Sequence, residues 1–362
     1  MTGSSSRTVA AIDLAAIRHN TRTLLSRASG SQLMAVVKAD AYGHGAVECA
    51  LAALEAGASS LAVVTAGEGA ELRDAGITAP VLVFTDLLPE KLALAAARDL
   101  TVTAHSLPSA RAIAEVPGLR AHLKVNTGMN RWGVAPEEVA KARSILGERL
   151  RGVYTHLASA DSDPEATRRQ LDTFDEVLDA HPFSGVTVHA ANSAATLWHP
   201  RARYDLVRPG VALYGLHPGG DEGSPYEENL RPAMTLTSYV AAVRRLSPGD
   251  GVSYGLTFHA GESMYAATVP CGYAEGYRRT LSNAGVALVR GHRRSVLGRV
   301  TMDALVVEAD EEIETGDEVV LLGEQGGERV GAEELGALAG TIDYEITTGI
   351  DPRRVERVYG GG

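Results

Sequence analysis

Ala35-Val36-Val37-Lys38-Ala39-Asp40-Ala41-Tyr42-Gly43-His44-Gly45 carries one amine from the end of an apolar run into a turn of small residues. The run, residues 33–38, predicts a buried strand. Residues 46–56 follow the turn, with Val47, Ala50, Leu51 and Leu54 recurring at the spacing of one helix face. Lys38 thus stands where a buried strand meets solvent just ahead of a helix, the place where β/α proteins do chemistry. The amine is also scarce: of 34 Lys and Arg residues, only Lys38, Lys91, Lys124 and Lys141 are lysine. With arginine as the default cation, a lysine in an apolar run points to a need for an amine that can deprotonate or condense with a carbonyl. The plain alternative is a strand-end lysine reaching water over its own stem. The glycines after Tyr42 are expected to let the chain clear whatever the lysine holds.

Outward from this stretch, strand-like and helix-like segments alternate. Strands are expected at 33–38, 60–64, 80–84, 100–103, 121–126, 152–156, 186–190 and 206–207. Amphipathic segments lie between them at 46–56, 68–75, 89–98, 107–115, 136–150 and 163–180. Residues 8–14 read as one more strand, and Asp13 can cap a helix running through Leu25. Roughly eight βα units in about 200 residues is the rhythm of a (β/α)8 TIM barrel. An open doubly wound sheet would more often stop at five or six strands, and its glycine fingerprint is missing. The rhythm breaks in the loop His217-Pro218-Gly219-Gly220-Asp221-Glu222-Gly223. Beyond it strand signals dominate, at 235–246, 265–270, 286–289, 295–300, 304–308 and 318–322, with one helix at 332–339. The expected fold class is α/β: an N-terminal (β/α)8 barrel over residues 1–228, then a mainly β domain over residues 229–362.

Composition narrows the function. A chain of 362 residues exceeds what one core usually holds, and 45% hydrophobic with 22% charged residues is ordinary for a globular protein. A net charge of -11 argues against nucleic acid or an anionic membrane as partner. The two cysteines, Cys49 and Cys271, give no disulfide framework, Cys49 reads as a small core residue, and no Cys/His cluster has metal spacing. The first eight residues lack a basic stretch leading an apolar one, and no apolar run approaches bilayer length. A cytoplasmic location is the expectation.

In a barrel, the ends of different strands converge on one opening. Here they carry Lys38 and Tyr42; Lys124 to Gly133; Tyr154 to Asp161, with His156; His189 to Ser193; and Arg208-Pro209-Gly210-Val211. The Ser193 hydroxyl and the amide of Gly210 suit a phosphate, and barrels place phosphates on the loops after their last two strands. A lysine opposite a phosphate cradle suggests pyridoxal 5'-phosphate. His156 can stack on a flat ring. Arg208 can face the pyridine nitrogen and keep a proton off it, which favours simple proton transfer over deeper rearrangement.

The chain resembles the bacterial alanine racemases, fold-type III pyridoxal phosphate enzymes, nearly end to end. The resemblance rests on AVVKADAYGHG from Ala35, KVNTGMNRWG from Lys124, YTHLASAD from Tyr154, HAANSAATL from His189 and VRPGVALYG from Val207. In the β region it rests on VSYGLTF from Val252, GYAEGYRR from Gly272, GRVTMD from Gly298 and TIDYE from Thr341. It implies interconversion of L- and D-alanine, with D-alanine supplied for peptidoglycan, by a homodimer that shares its active sites. It implies Lys38 as the aldimine lysine and one base, and Tyr254 as the second base, reaching in from the other subunit. Tyr42, Asn192, Ser193, Gly210, Val211 and Tyr344 match cofactor contacts at the phosphate side, and His156 and Arg208 match the ring contacts. Arg131, Met302 and Tyr273 match the substrate side, and Tyr273, Arg279, Arg299, Asp161 and Ile342 an entry corridor. Lys124 matches a position that family members often carbamylate, where it would hold Arg131.

Two bases on opposite faces are what racemisation requires. Lysine and tyrosine are poor bases at neutral pH, so cationic surroundings, Arg131 above all, are expected to lower both groups. The pattern departs from the family at three places: Asn126 stands for the usual aspartate, Glu275 for aspartate in Gly-Tyr-Ala-Asp-Gly, and Glu356 for proline in Arg-Val-Pro-Arg. A related racemase acting on serine or a broader set of small amino acids is one alternative, because a pocket discriminates one hydroxyl or methylene weakly. A non-catalytic pyridoxal phosphate carrier is another, although carriers lack the β domain.

Overall fold

The computed structural model describes residues 6–85, 88–220 and 223–361. The polar leader before Ser6, the residues Asp86 and Leu87, Asp221 and Glu222 of the connecting loop, and Gly362 lie outside them. Eight parallel strands close into a barrel: Gln32–Val36, Ser60–Val63, Val81–Val83, Thr101–Ala104, Arg120–Lys124, Leu150–Tyr154, Thr187–His189 and Leu206–Val207. Closure comes where Gln32 and Leu33 pair with Leu206 and Val207. The alternation of side chains along a strand decides which residues fill the barrel. On the first strand Met34 and Val36 join Ala62, Leu82 and Leu206 in an inner cluster, while Leu33 and Ala35 pack into the main core.

The helices start as their sequences require. Asp13 accepts the amides of Ala15 and Ala16 and caps Leu14–Ala28. Thr65 and Glu68 form a reciprocal capping box on Ala66–Asp74, and Asp163 caps Pro164–Ala180. The helix after the lysine turn runs Ala46–Glu55, but its buried face is Cys49, Ala50, Ala52 and Ala53. Leu51, expected in the apolar stripe, is 44% exposed. Close packing against the first helix and the barrel selects the small residues and turns the leucine outward.

The second domain is mainly β. One sheet runs in the order His292–Ser295, Val286–Val289, Glu318–Gln325, Met234–Tyr239, Val9–Asp13, Glu356–Gly360. The expected strand at 235–246 is two strands in two sheets: Ala242–Leu246 pairs instead with Met264–Val269, which pairs with Leu305–Ala309. Val9–Asp13, which precedes the barrel in sequence, belongs to the sheet of the second domain, antiparallel to Met234–Tyr239 and parallel to Glu356–Gly360. No helix among the described residues is long and apolar enough to cross a membrane.

The lysine turn is where the two domains meet. Ala39, Asp40, Ala41 and Tyr42 all have positive φ, 51 to 55°, one left-handed turn that costs L-residues roughly 1–2 kcal/mol each. Its neighbours hold it. The amide of Ala39 donates to Glu68 at 2.8 Å, that of Ala46 to Asp40 at 2.9 Å, and Arg357 of the last strand pairs with Asp40. The Nδ1 of His44 lies 3.0 Å from the carbonyl oxygens of Ala41 and Tyr42. The glycines of this stretch serve the second domain rather than the lysine's ligand. A Cβ at Gly43 would lie 2.1 Å from the Thr347 carbonyl oxygen, and one at Gly45 2.1 Å from the Tyr359 hydroxyl.

Candidate active site

Lys38 lies two residues beyond the end of its strand at Val36 and holds its amine over the Tyr42 ring, 5.7 Å from the centroid. It lines a cavity of about 650 Å³ at the C-terminal end of the barrel. Four cations, Lys38, Lys124, Arg131 and Arg208, face this space with one carboxylate, Asp161. Such a lining suits an anion. Burial, then the charge of Arg131, lowers the Lys38 amine below the ordinary lysine value, against an opposing pull from Glu68. Lys124 is pushed down to about 8 by burial and by Arg131, Arg208 and Lys38. Its amine lies 5.7 Å from the Trp132 ring centroid and 5.6 Å from that of Tyr154; the Arg131 guanidinium also lies over Trp132, at 5.3 Å.

One rim of the cavity gathers polar groups from the last two barrel loops, the lysine turn and the second domain. The Ser193 hydroxyl accepts the amides of Gly210 at 2.9 Å and Ala212 at 3.3 Å, tying the last two barrel loops together. Asn192 spends its side-chain oxygen on capping the helix Ser193–Trp198 through the amide of Ala195, at 3.0 Å. A Cβ on Gly210 would come 2.4 Å from the Tyr42 hydroxyl, so only glycine leaves that hydroxyl in place. Burial raises the Tyr42 and Tyr344 phenols above the ordinary tyrosine value, which keeps both as neutral donors. Tyr344 comes from the short helix Asp343–Thr348 of the second domain and donates to the Pro218 carbonyl at 3.1 Å. Val211 and His156 complete this lining, and burial with four nearby cations, Arg208 foremost, holds His156 well below the usual histidine value. His156 is therefore neutral.

Below the mouth, part of the barrel interior is polar. Arg208 donates from one amine to Nδ1 of His189 at 2.7 Å and from the other to the carbonyls of Thr155 and Ala190, at 2.8 and 2.9 Å. Nε2 of His189 lies 2.8 Å from Nδ1 of His122. The Tyr154 ring stacks on His189 at 4.7 Å and 9°, and its hydroxyl lies 3.1 Å from that of Thr103. The roles of His122, His189 and Tyr154 were missed at the sequence level, although a signal existed. His122 and Lys124 are two apart on one strand, as are Gly152 and Tyr154 on the next, so each pair shares one barrel face.

The remaining predicted residues sit elsewhere. Tyr254, Tyr273, Arg279, Arg299 and Met302 line a separate cleft of about 480 Å³ on the β domain. Tyr254 is 74% exposed, presented by a tight turn in which Ser253, Gly255 and Leu256 have positive φ and the Ser253 hydroxyl donates to the Arg299 carbonyl at 2.6 Å. Of the corridor residues, Asp161 and Ile342 line the Lys38 cavity, and Tyr273, Arg279 and Arg299 line the Tyr254 cleft. Arg131 and Tyr254 therefore do not share a pocket within one chain. Asn126 shapes its own loop, accepting the amides of Gly128 and Asn130 at 3.2 and 3.0 Å and donating to the Asn130 side chain at 2.9 Å.

A closed parallel barrel with an amine among cations at its mouth is thus followed by a β domain that sends a tyrosine, Tyr344, back to that mouth. The profile described as "Alanine racemase, N-terminal domain" matches residues 12–218, and "Alanine racemase, C-terminal domain" matches residues 233–359. The alanine racemase of Carboxydothermus hydrogenoformans is 44% identical over 97% of this chain and 98% of its own length. Alanine racemase 1 of Bacillus subtilis is 40% identical over 97% of this chain and 92% of its own length. Among solved structures, alanine racemase from D-cycloserine producing Streptomyces lavendulae superposes with a TM-score of 0.92 at 40% identity, covering 99% of this chain and 98% of that one. The E. faecalis alanine racemase gives 0.93 at 36% identity, covering 99% of both. The chain belongs to the alanine racemase family.

Proposed function

We propose that this chain interconverts L-alanine and D-alanine by two-base proton transfer with pyridoxal 5'-phosphate at the barrel mouth. The observation that carries the reading is the Lys38 amine, lowered by burial and Arg131 in a cation-lined cavity, in a chain matched along its length by alanine racemases. The residues present fit the cofactor. The Ser193 hydroxyl, the Gly210 position that a Cβ would close and the neutral phenols of Tyr42 and Tyr344 suit a phosphate; Asn192 and Val211 complete that end. His156 would lie against the ring, Arg208 at the pyridine nitrogen and Lys38 at the carbonyl carbon. When bound, the cofactor supplies a conjugated ring that acidifies the α-proton of the amino acid.

Lys38 takes or returns the proton on one face of the α-carbon, and Tyr254 of the partner subunit does so on the other. Each enantiomer thus meets its own base. Arg131 pairs with the substrate carboxylate, while Met302 and Tyr273 close the substrate side and Arg279, Arg299, Asp161 and Ile342 narrow the approach. The guanidinium of Arg208, charged at neutral pH, would keep a proton off a pyridine nitrogen held against it. We assign Lys124 as a carbamylation site: its amine adds to carbon dioxide, one proton leaves the nitrogen, and the new carboxylate accepts from Arg131. A pKa near 8 leaves a fraction of that amine neutral at physiological pH, as the addition needs.

This reading makes the protein a homodimer with shared sites, each joining one chain's barrel mouth to the other chain's Tyr254 cleft. We keep residues 1–228 and 229–362 as the two domains, the second supplying Tyr254 and Tyr344, with Val9–Asp13 as a strand the first half lends to the second. Cys49 and Cys271 are buried free thiols, in keeping with a reducing cytoplasm, where the product would serve peptidoglycan. The test is direct. Purified protein given pyridoxal phosphate should turn yellow, borohydride should fix the label on Lys38, and L-alanine in heavy water should yield deuterated D-alanine. A colourless protein, or colour without α-proton exchange, defeats the reading.

A further inference from the structure

We infer that His122 is a positioning residue for Arg208, acting through His189: it fixes which His189 nitrogen carries the proton and so holds the guanidinium in place with its charge uncancelled. The catalytic consequence rests on the function proposed above; the proton placement does not.

The argument begins with the inventory of donors. A guanidinium has only N–H groups to offer, so the Arg208 nitrogen 2.7 Å from Nδ1 of His189 requires a lone pair there. A neutral His189 then carries its proton on Nε2. That nitrogen faces Nδ1 of His122 at 2.8 Å, which must accept, leaving the His122 proton on its own Nε2. Neither ring takes a second proton at neutral pH: burial and the charge of Arg208 hold His122 at about 3 and His189 well below the usual value. Without an acceptor at His122, the His189 Nε2–H would be buried with no partner there, and the preference for it over the Nδ1–H form, which opposes Arg208 donor to donor, would weaken.

Each acceptor this guanidinium meets is neutral: one imidazole and the carbonyls of Thr155 and Ala190. A carboxylate in the same place would bond more strongly but cancel the charge. Two linked imidazoles hold the group without doing so, and the surviving field is felt at Lys124 and His156, both lowered in part by Arg208. Two further features single out this arrangement. Tyr154 lies flat against His189, fixing the ring plane. Gly152 leaves the room that His122 occupies, since a Cβ there would lie 2.4 Å from its Nδ1.

The test uses the holoenzyme and the cofactor-free protein, both labelled with 15N-histidine. Proton–nitrogen NMR should find His189 and His122 each protonated on Nε2 alone, unchanged from about pH 6 to 9, where an ordinary histidine would titrate. A His189 proton on Nδ1, or exchange between the two nitrogens, overturns the inference. His122→Phe removes the acceptor; the His189 pattern should become mixed, the cofactor absorption band should shift, and kcat should fall about tenfold, the worth of one such hydrogen bond, with KM little changed. His122→Gln, whose carbonyl oxygen can accept from Nε2–H, should restore most of the loss. Equal impairment by Gln and Phe, or no effect of either, overturns it. Should His122→Phe fail to fold, Gly152→Ala, which displaces the ring, should perturb both histidine spectra; unchanged spectra overturn it. A wild-type protein that takes up no cofactor refutes the proposed function while the spectra of the free protein still decide the tautomers.

Discussion

The Lys38 mouth and the Tyr254 cleft are made of opposite materials. In the mouth, burial and neighbouring cations lower the Lys38 and Lys124 amines, and side chains hold the backbone amides of Gly210 and Ala39 beside it. The cleft is an open face on which Tyr254, Tyr273 and Met302 are all exposed. Exposed large apolar residues gathered in one place mark a surface that something covers. On the reading proposed above, the mouth is finished by the chain's own fold and the cleft by a partner chain. A two-base reaction divided this way keeps one base buried and pre-set and lets assembly deliver the other.

The largest expected effect lies on the mouth. Lys38→Arg keeps a cation but removes an amine able to lose a proton or bond a carbonyl. Racemisation measured by polarimetry should fall by about 10³-fold or more, and borohydride should no longer fix cofactor to this position. Residual activity within about tenfold of wild type would break the contrast, because the cleft alone would then be sustaining the reaction.

The next effect lies on the cleft. Tyr254→Phe should slow racemisation by about 10²- to 10⁴-fold while leaving the cofactor spectrum intact, since Tyr254 does not line the mouth. Mixed after dissociation and reassembly, the two inactive variants should recover activity, because a hybrid dimer pairs an intact Lys38 with an intact Tyr254. Random pairing makes about half the dimers hybrid with one good site each, hence roughly a quarter of wild-type activity. No recovery, with hybrids demonstrated by mass spectrometry, would mean that both bases act within one chain.

A third effect separates the regions by pH. Lys124 has a folded value near 8 against 10.5 for a free lysine. Between those values the unfolded chain holds a proton that the folded chain has released, so unfolding free energy rises with pH across that window. The penalty is fully present below about 8 and fades toward 10.5, roughly 3 kcal/mol in all at about 1.4 per unit. Urea titrations in carbon dioxide-free buffer should show this slope in wild type and a shallower one in Lys124→Met, where the lowered Lys38 amine keeps its own share. An unchanged slope would place the amine in water.

What the sequence made legible follows the same division. The eight βα units and the polar residues at their ends were readable because each is a local pattern: a buried run, a turn, an amphipathic helix. Partnership was not readable. Nothing in residues 8–14 says that they pair with residues 234–239 and 356–360 instead of entering the barrel, since a strand's alternation records burial and not its neighbour. The run 235–246 stayed apolar straight through the corner at Val240, so one strand was expected where two sheets meet. The glycines of the lysine turn were assigned to the wrong neighbour for the same reason, their close contacts being Thr347 and Tyr359, some 300 residues away. His122 and His189 were legible only as strand residues; their linkage needed the closed barrel.

The smallest expected effect concerns the buried Glu275, and it sharpens what holds the cleft. Glu275 is 1% exposed, and a buried carboxylate must be fully paired to be tolerated. One oxygen accepts the Gly272 amide at 2.9 Å; the other accepts Arg354 at 2.8 Å and Arg7 at 3.2 Å. The same loop then continues through Tyr273 and Ala274, whose amides donate to Thr301 and Met302, both at 3.0 Å. Glu275 thus fixes the segment that sets Tyr273 against Met302. Shortening it by one methylene in Glu275→Asp draws the carboxylate back from two arginines while it stays on the Gly272 amide. Chemical denaturation should show a loss of about 1–2 kcal/mol, the worth of a charged hydrogen bond. Because the change touches the wall of the cleft and neither base, KM for alanine should rise by about two- to threefold with kcat unchanged, a shift of well under 1 kcal/mol in binding. A fall in kcat at constant KM would instead make this loop part of the chemistry, and the cleft more than a surface awaiting its partner.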